Sequence, residues 1–418
     1  MQLPHVAGRN DIPYPPCRFP GGSTYHYLLH YQGVFSLKDH TQQAGTCEII
    51  TGQDRLAEVA AVIGNEREVA VDLEMDSLHH YQEKVCLMQI STRTESWLID
   101  PLAVKDMSPL TATLGNPEIR IVMHGADYDI RSLHRDFGIE VINMFDTMIA
   151  SRLLGLTEFG LAALLKARFG IELDKKYQKA DWSKRPLSAE MCAYAMADTA
   201  NLLPLYDQLR AELAEKGRIS WLEEECRLVC QARVSDKEGP LFLSCKGAAK
   251  LKGRNLAILE NLLQLRDVQA RELDRPAFKV ISAETLVEVA EKRPRTLGDL
   301  AGIKGMTPGQ IHRYAAQIFA AIAAALALPE SELPRFPRQL REEPSNGAKE
   351  RLKRMKAWRQ DRSRELGLEP GVTAPNWLLE AIADANPTTV AGLDTIAGMR
   401  EWQKKLFGLE LLAEIAAA

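Results

Sequence analysis

A chain of 418 residues is long enough for two or three domains with cores of their own. Its apolar fraction of 46% and charged fraction of 26% are those of an ordinary globular protein, and a net charge of −4 excludes a global basic surface for nucleic acid. Any such surface has to come from local patches or bound metal. The seven cysteines are scattered and form no Cys-x-x-Cys pair, which fits a reduced, cytoplasmic compartment. Cys226 and Cys230, four apart, suit packing on a helix better than metal binding. No apolar region follows a basic start, so no secretory signal is expected. The most apolar run, Ile318 to Leu328, is too short to span a bilayer.

Residues 1–45 are rich in Pro, Gly, Tyr and His and read as an irregular arm, with at most a short helix or strand around Tyr25–Leu37. Regular patterning begins with a strand at Glu48–Ile50 and a helix over Asp54–Ile63. Val69–Glu74 then reads as a buried strand. Side chains alternate along a strand, so Asp72 and Glu74 share one face. Two adjacent carboxylates repel each other unless cations or water share their site; a solvated strand face is the other reading. Val85–Ser91 and Ser96–Ile99 continue as a hairpin, making a meander at the start of a mixed sheet. A helical Asp106–Leu114 leads to a strand at Ile119–Val122, which runs into His124-Gly-Ala-Asp-Tyr-Asp-Ile130. Helical periodicity begins there, with Ile130, Leu133 and Phe137. Asp129 falls in the first turn of a helix leaving a strand end, a place for polar chemistry or for capping, with Asp127 an equal candidate for the cap. Val141–Phe145 is the next strand, and Asp146-Thr147 caps the helix through Met148–Leu154.

A helical Gly160–Phe169 precedes a loop that mixes cations with aromatics: Lys175, Lys176, Tyr177, Lys179, Trp182, Lys184 and Arg185. That mixture suits a nucleic-acid backbone with stacked bases, and equally a solvated connection. Ser188 and Glu190 open a helix on which Tyr194 and Asp198 lie four apart, on one face. Residues 214–254 read as a charged helical connector. An internal repeat follows at a constant offset of 93: Leu265-Arg266 matches Trp358-Arg359, Pro294 matches Pro387, and Asp299–Met306 matches Gly392–Met399. Both copies read as compact helical modules, joined by a Pro-, Glu- and Arg-rich linker at Leu328–Asn346. Lys349–Arg364 carries eight Lys/Arg against two acids, a phosphate-binding face or a solvated amphipathic helix.

The order Asp72-x-Glu74, Asp129, Tyr194-x-x-x-Asp198 resembles the DEDD exonucleases, in the subgroup with a Tyr in the third motif. The stretches His124–Ile130, Asn143–Thr147 and Tyr177–Trp182 resemble ribonuclease D and its relative in the eukaryotic exosome, and the repeats resemble tandem HRDC domains. The resemblance implies an α/β ribonuclease H-like exonuclease domain, a mixed sheet flanked by helices, over 46–215. A connector over 216–254, a first all-α HRDC module over 255–330, a linker over 331–347 and a second module over 348–416 complete the expected division.

It also implies 3′-to-5′ hydrolysis of RNA by two divalent cations, Mg²⁺ or Mn²⁺, releasing nucleoside 5′-monophosphates. Asp72 would bridge the metals, Glu74 and Asp198 would complete the site of the attacking water, Asp129 would help hold the second metal, and Tyr194 would orient the water. His124 is expected to be structural or to support the site residues from behind. Lys176, Tyr177, Lys179, Trp182, Lys184, Arg185 and Lys304 are the expected RNA-binding residues. The expected partners are single-stranded 3′ ends of tRNA precursors and small structured RNAs, met by a monomer. The arm has no counterpart in the family, and the second repeat has Ala397 where the first has Lys304. A DNA exonuclease of the Werner type and an inactive RNA-binding adaptor are the competing functions.

Overall fold

A computed structural model describes residues 49–234, 239–337 and 345–417. The expectations for the arm over 1–45, with its element around Tyr25–Leu37, for Glu48 and for residues 338–344 of the linker lie outside the described residues.

The first half is built on a six-stranded mixed sheet. In chain order its elements are β1 (Ile49–Ile50), α1 (Gln53–Ile63), β2 (Glu68–Met75), β3 (Val85–Ser91), β4 (Ser96–Ile99), α2 (Thr111–Leu114), β5 (Arg120–Met123), α3 (Asp127–Phe137), β6 (Met144–Asp146) and α4 (Thr147–Leu154). The strand order is β1-β4-β3-β2-β5-β6, with β2, β3 and β4 antiparallel as a meander and the remaining pairs parallel. β2 therefore sits inside the sheet, fixed by β3 on one side and β5 on the other. β3 is buried along its whole length, as its continuous apolar run requires of a central strand.

Two elements differ from expectation. Asp106–Leu114 is a 3₁₀ turn at Ser108–Leu110 followed by α2, because Asp106 ties down the Ser108 N–H and hydroxyl. β6 covers only three residues. Val141 is buried without joining the ladder, so its apolar character reflects the core and not strand pairing.

Helices then cover the sheet: α5 (Leu161–Phe169), α6 (Ala189–Ala200), α7 (Leu202–Glu215) and α8 (Ile219–Cys230). Ser188 caps α6 by accepting the Met191 N–H. α8 falls in the expected connector, yet Leu222, Cys226 and Cys230 are buried in the main core of the sheet domain. Its amphipathic spacing makes it a structural member of that domain.

The two modules have separate cores. The first comprises α9 (Arg254–Glu272), α10 (Ala277–Val280), α11 (Ala283–Lys292), α12 (Leu297–Ala301) and α13 (Pro308–Ala327). The second comprises α14 (Ala348–Leu366), α15 (Pro370–Thr373), α16 (Asn376–Ala385) and α17 (Glu401–Ala416), with a 3₁₀ turn at Ala391–Thr395 in place of α12. The starts of α10, α11 and α13 reappear 93 residues later as those of α15, α16 and α17. One clamp is also repeated. Gln310 accepts the Thr307 N–H and donates to the Val280 carbonyl; Gln403 accepts the Arg400 N–H and donates to the Thr373 carbonyl.

The basic helix α14 gives up part of its expected phosphate-binding face to the module itself, while Lys349, Lys353, Lys356 and Arg364 are exposed. Arg351 is buried and donates to the Ala383 carbonyl, Arg354 pairs with Glu414, Arg359 donates to the Ala374 carbonyl, and Arg362 pairs with Glu410. Half of its eight cations serve the module's own packing. Among the described residues, no helix is long and apolar enough to cross a membrane.

Candidate active site

β2 places Asp72 and Glu74 on one face of the sheet, and α6 crosses that face. Helix and sheet are joined there by a hydrogen bond between the Ser91 and Thr199 hydroxyls (2.7 Å). This brings Asp198 over the strand. Asp72, Glu74 and Asp198 each offer a carboxylate oxygen, all within 4.8 Å of one another. Asp129 enters from the first turn of α3, buried, as a charge neighbour of Asp72 and Glu74. It lies outside the tight triplet but in the same field.

The electrostatics follow from this crowding. Burial pushes Asp72 up to about 7. Burial, together with the charges of Asp72, Asp198 and Asp129, pushes Glu74 up to about 9. Asp198 is pushed up to about 8 by burial and Asp72, and Asp129 is held well above the ordinary carboxylate range by burial and Asp72. Without a counter-charge these groups cannot all ionise cheaply. All donors in the cluster are hard oxygens, the set that Mg²⁺ or Mn²⁺ prefers, so the residues fit divalent cations. Tyr194 stands one helical turn before Asp198. Burial and the neighbouring carboxylates raise its phenol above its ordinary value, so it stays neutral and able to donate.

The loop that follows α5 behaves differently from expectation. Trp182 is only 1% exposed, packed in a small core with Cys86, Leu98 and Cys192, and its ring lies 6.0 Å from that of Tyr194. It is a support for Tyr194 and not a platform for bases. Arg185 is also committed, its guanidinium paired with Asp100 (2.6 and 2.8 Å) and donating to the Cys86 carbonyl. Tyr177 is half-buried, edge-on to Tyr194 at 5.8 Å, with the Lys176 ammonium 4.8 Å from its ring. Lys176, Lys179 and Lys184 are exposed, Lys184 lying 3.6 Å from Asp181. Lys304, in the first module, is exposed and remote in sequence from this loop.

His124 is braced by the Thr147 hydroxyl (2.9 Å), and burial lowers its pKa, as suits a neutral structural imidazole. Two contributors escaped the sequence reading. Asp146 caps α4, but it also accepts the N–H groups of Gly125 and Ala126 (3.0 and 2.8 Å), which fixes the turn from β5 into the helix carrying Asp129. Gln89 pairs with Asp72 across the β2–β3 ladder and shares its face; it is fully buried, and neither amide atom has a hydrogen-bond partner. The pairing register, which the sequence does not print, is the signal that would have found it.

Comparison with known proteins agrees with this arrangement. A family model described as 3′-5′ exonuclease matches residues 47–214, and the HRDC domain model matches 255–322 and 348–415. Exosome complex component 10 of Mus musculus is 38% identical over 261 residues, which is 60% of this chain and 29% of that one. The chain thus spans under a third of the length of that relative. The catalytic core of RRP6 from Trypanosoma brucei superposes with a TM-score of 0.59 at 31% identity, covering 68% of this chain and 81% of that one. RNase D from Escherichia coli, an exoribonuclease involved in structured RNA processing, superposes with a TM-score of 0.69 at 27% identity, covering 88% and 98%.

Proposed function

The chain belongs to the 3′-5′ exonuclease family that carries HRDC domains, and from that premise we propose that it is an exoribonuclease shortening RNA from single-stranded 3′ ends. The observation that carries this reading is the triplet Asp72, Glu74 and Asp198 within 4.8 Å, with Tyr194 one turn away.

Asp72, Glu74 and Asp198, with Asp129 beside them, would hold two divalent cations, Mg²⁺ or Mn²⁺. Such cations supply neutralising charge and Lewis acidity toward both the attacking water and the leaving 3′ oxygen. The chain's own residues do the rest. Tyr194 hydrogen-bonds and orients the water, its neutral phenol acting as a positioner and not as a base. Asp146 holds the Gly125–Ala126 turn, keeping Asp129 in register with the strand. Trp182 and Tyr177 wall in Tyr194. The water oxygen forms a bond to phosphorus, the bond to the 3′ oxygen breaks, one proton leaves the water for solvent and the departing oxygen gains one. The products are a nucleoside 5′-monophosphate and a shortened RNA.

RNA as substrate is supported by the kinship with RNase D and RRP6, and tRNA precursors and small structured RNAs with free tails are the class proposed. The test is a 3′-tailed RNA and the matching DNA, both labelled at the 5′ end, with Mg²⁺, Mn²⁺ or EDTA. A metal-dependent ladder on RNA is the expected result. Faster shortening of DNA moves the reading to a DNA exonuclease, and binding without cleavage leaves an adaptor.

A further inference from the structure

β3 brings no carboxylate to the site, yet two of its side chains stand behind the ones that do. In the antiparallel ladder with β2, Ser91 lies opposite Ala70, Gln89 opposite Asp72 and Leu87 opposite Glu74. Residues directly opposite on such a ladder point to the same face of the sheet. Leu87, Gln89 and Ser91 therefore share the face of Asp72 and Glu74, beneath α6. On its other side Gln89 has Leu98 of β4 as its ladder partner.

Around Gln89 this face is apolar or already satisfied. Leu87 and Leu98 belong to the small core that holds Trp182, Cys192 and Ala195. The Ser91 hydroxyl bonds those of Ser96 and Thr199 (2.8 and 2.7 Å), and Thr199 is the residue after Asp198. Gln89 is different. It is fully buried, and neither Oε1 nor Nε2 has a hydrogen-bond partner among the described residues. Burying an unpaired amide is costly, and a methionine would fill a similar space without that cost. Packing alone does not account for the residue.

The side chain across the ladder from it is Asp72, the carboxylate expected to bridge the cations. Cross-strand neighbours have Cβ atoms about 5 Å apart, within the span of a glutamine side chain. Asp72 otherwise takes a hydrogen bond from the Leu73 backbone. A carboxylate that holds metal is oriented by the donors behind it.

We propose that Gln89 is a positioning residue for the cation site: its amide N–H donates to the Asp72 carboxylate in the loaded site and fixes which lone pairs Asp72 presents to the cations. An amide suits this place because it supplies a donor and no charge. A lysine or arginine there would compete with the metal for Asp72. β3 thus supports two members of the triplet, Asp198 through Ser91 and Thr199, and Asp72 through Gln89. The assignment rests on the cation site proposed above.

The test is Mn²⁺ binding by the full chain without RNA, followed by electron paramagnetic resonance, with the denaturation midpoint of the metal-free chain measured beside it. Gln89→Met keeps the length and loses the donor, and Gln89→Leu loses both. Each is expected to bind Mn²⁺ about tenfold more weakly, the lower end of what losing such a support costs. The metal-free midpoint is expected to stay level or rise, because an unpaired buried amide has been removed. A residue that only filled space would do the opposite, lowering the midpoint and sparing the affinity. Ile90→Val is the control: the next residue, fully buried on the opposite face, loosens the same strand and should leave Mn²⁺ affinity unchanged. Unchanged affinity in the two Gln89 variants overturns the proposal, as does an equal loss in Ile90→Val. A lower metal-free midpoint in both Gln89 variants overturns it as well, since the amide would then be holding the sheet and not the carboxylate. If the unchanged chain binds no Mn²⁺, the cation site itself falls and the exonuclease reading with it. Failure of the Gln89 variants alone leaves that reading standing.

Discussion

The two HRDC modules are the same fold attached to the nuclease by different physics. The second is locked in. Glu224 caps its last helix, Trp402 stacks on Trp221, and the buried Arg218 joins the Leu153 carbonyl of the nuclease to the Leu366 carbonyl of the module (2.6 and 2.7 Å). The backbones approach so closely that a Cβ on Gly155 would lie 1.8 Å from the Gly367 oxygen. The first module meets the nuclease through a polar patch: His80 with Asp274, the Tyr81 hydroxyl with Asp267, and Arg271 against Tyr81. Duplication supplied two copies of one scaffold, and single side chains at equivalent positions decided which became a wall and which kept an open face.

The largest expected effect separates holding from cutting. Asp72→Asn should lower metal-dependent hydrolysis by about three orders of magnitude or more, the scale of removing one member of a unit that acts together. RNA binding in EDTA should persist; its loss would mean that the carboxylates themselves hold the strand. Next in size, Trp402→Ala should destabilise the chain by about 3–5 kcal/mol, as for other buried tryptophans, visible as a lower denaturation midpoint. The mirror change Gly309→Trp, into open space, should cost under about 1 kcal/mol. Equal costs at the two positions would dissolve the distinction between the modules.

Glu224→Ala should cost roughly 2 kcal/mol, because two hydrogen bonds to a buried carboxylate are lost. A pH series sharpens the contrast further. Asp72, Asp198 and Glu74 are raised to about 7, 8 and 9 from ordinary values near 4. A carboxylate whose folded pKa is raised contributes stability present below its ordinary range and lost as pH rises through the raised value. The metal-free melting temperature should therefore fall from about pH 4 to about pH 9. Added Mn²⁺ should reverse the fall, and Asp72→Asn should flatten it. A profile that rises over that window would contradict the clustered geometry. The smallest effect is expected of His80→Ala, under about 1 kcal/mol for a partly exposed pair, with faster hydrogen exchange confined to residues 76–84.

Much of the site was legible without coordinates because it rests on two simple periods. Alternation along β2 puts Asp72 and Glu74 together, and the helical spacing of four ties Tyr194 to Asp198. What failed was the sorting of surface from core in the irregular loop. Trp182 and Arg185 have the composition of a nucleic-acid contact, but Trp182 fills a core pocket and Arg185 finds Asp100, a partner distant in sequence. Asp146 was read as a cap, a local role, while its second pair of hydrogen bonds runs to a loop twenty residues earlier. The repeat was visible as an offset, but the meaning of Gly309 against Trp402 depends on Trp221, which lies outside both copies.

Trp221 also has a consequence for how the chain comes to be folded. It packs against the core of the nuclease and that of the second module at once. Its stacking partner Trp402 lies about 180 residues further on. At ordinary rates of synthesis, α8 must wait about 10–40 s with one side uncovered while the whole first module is made and folds in between. The nascent nuclease is thus an unfinished surface until nearly the last helix emerges, an interval in which a chaperone, or a wrong partner, would find it first.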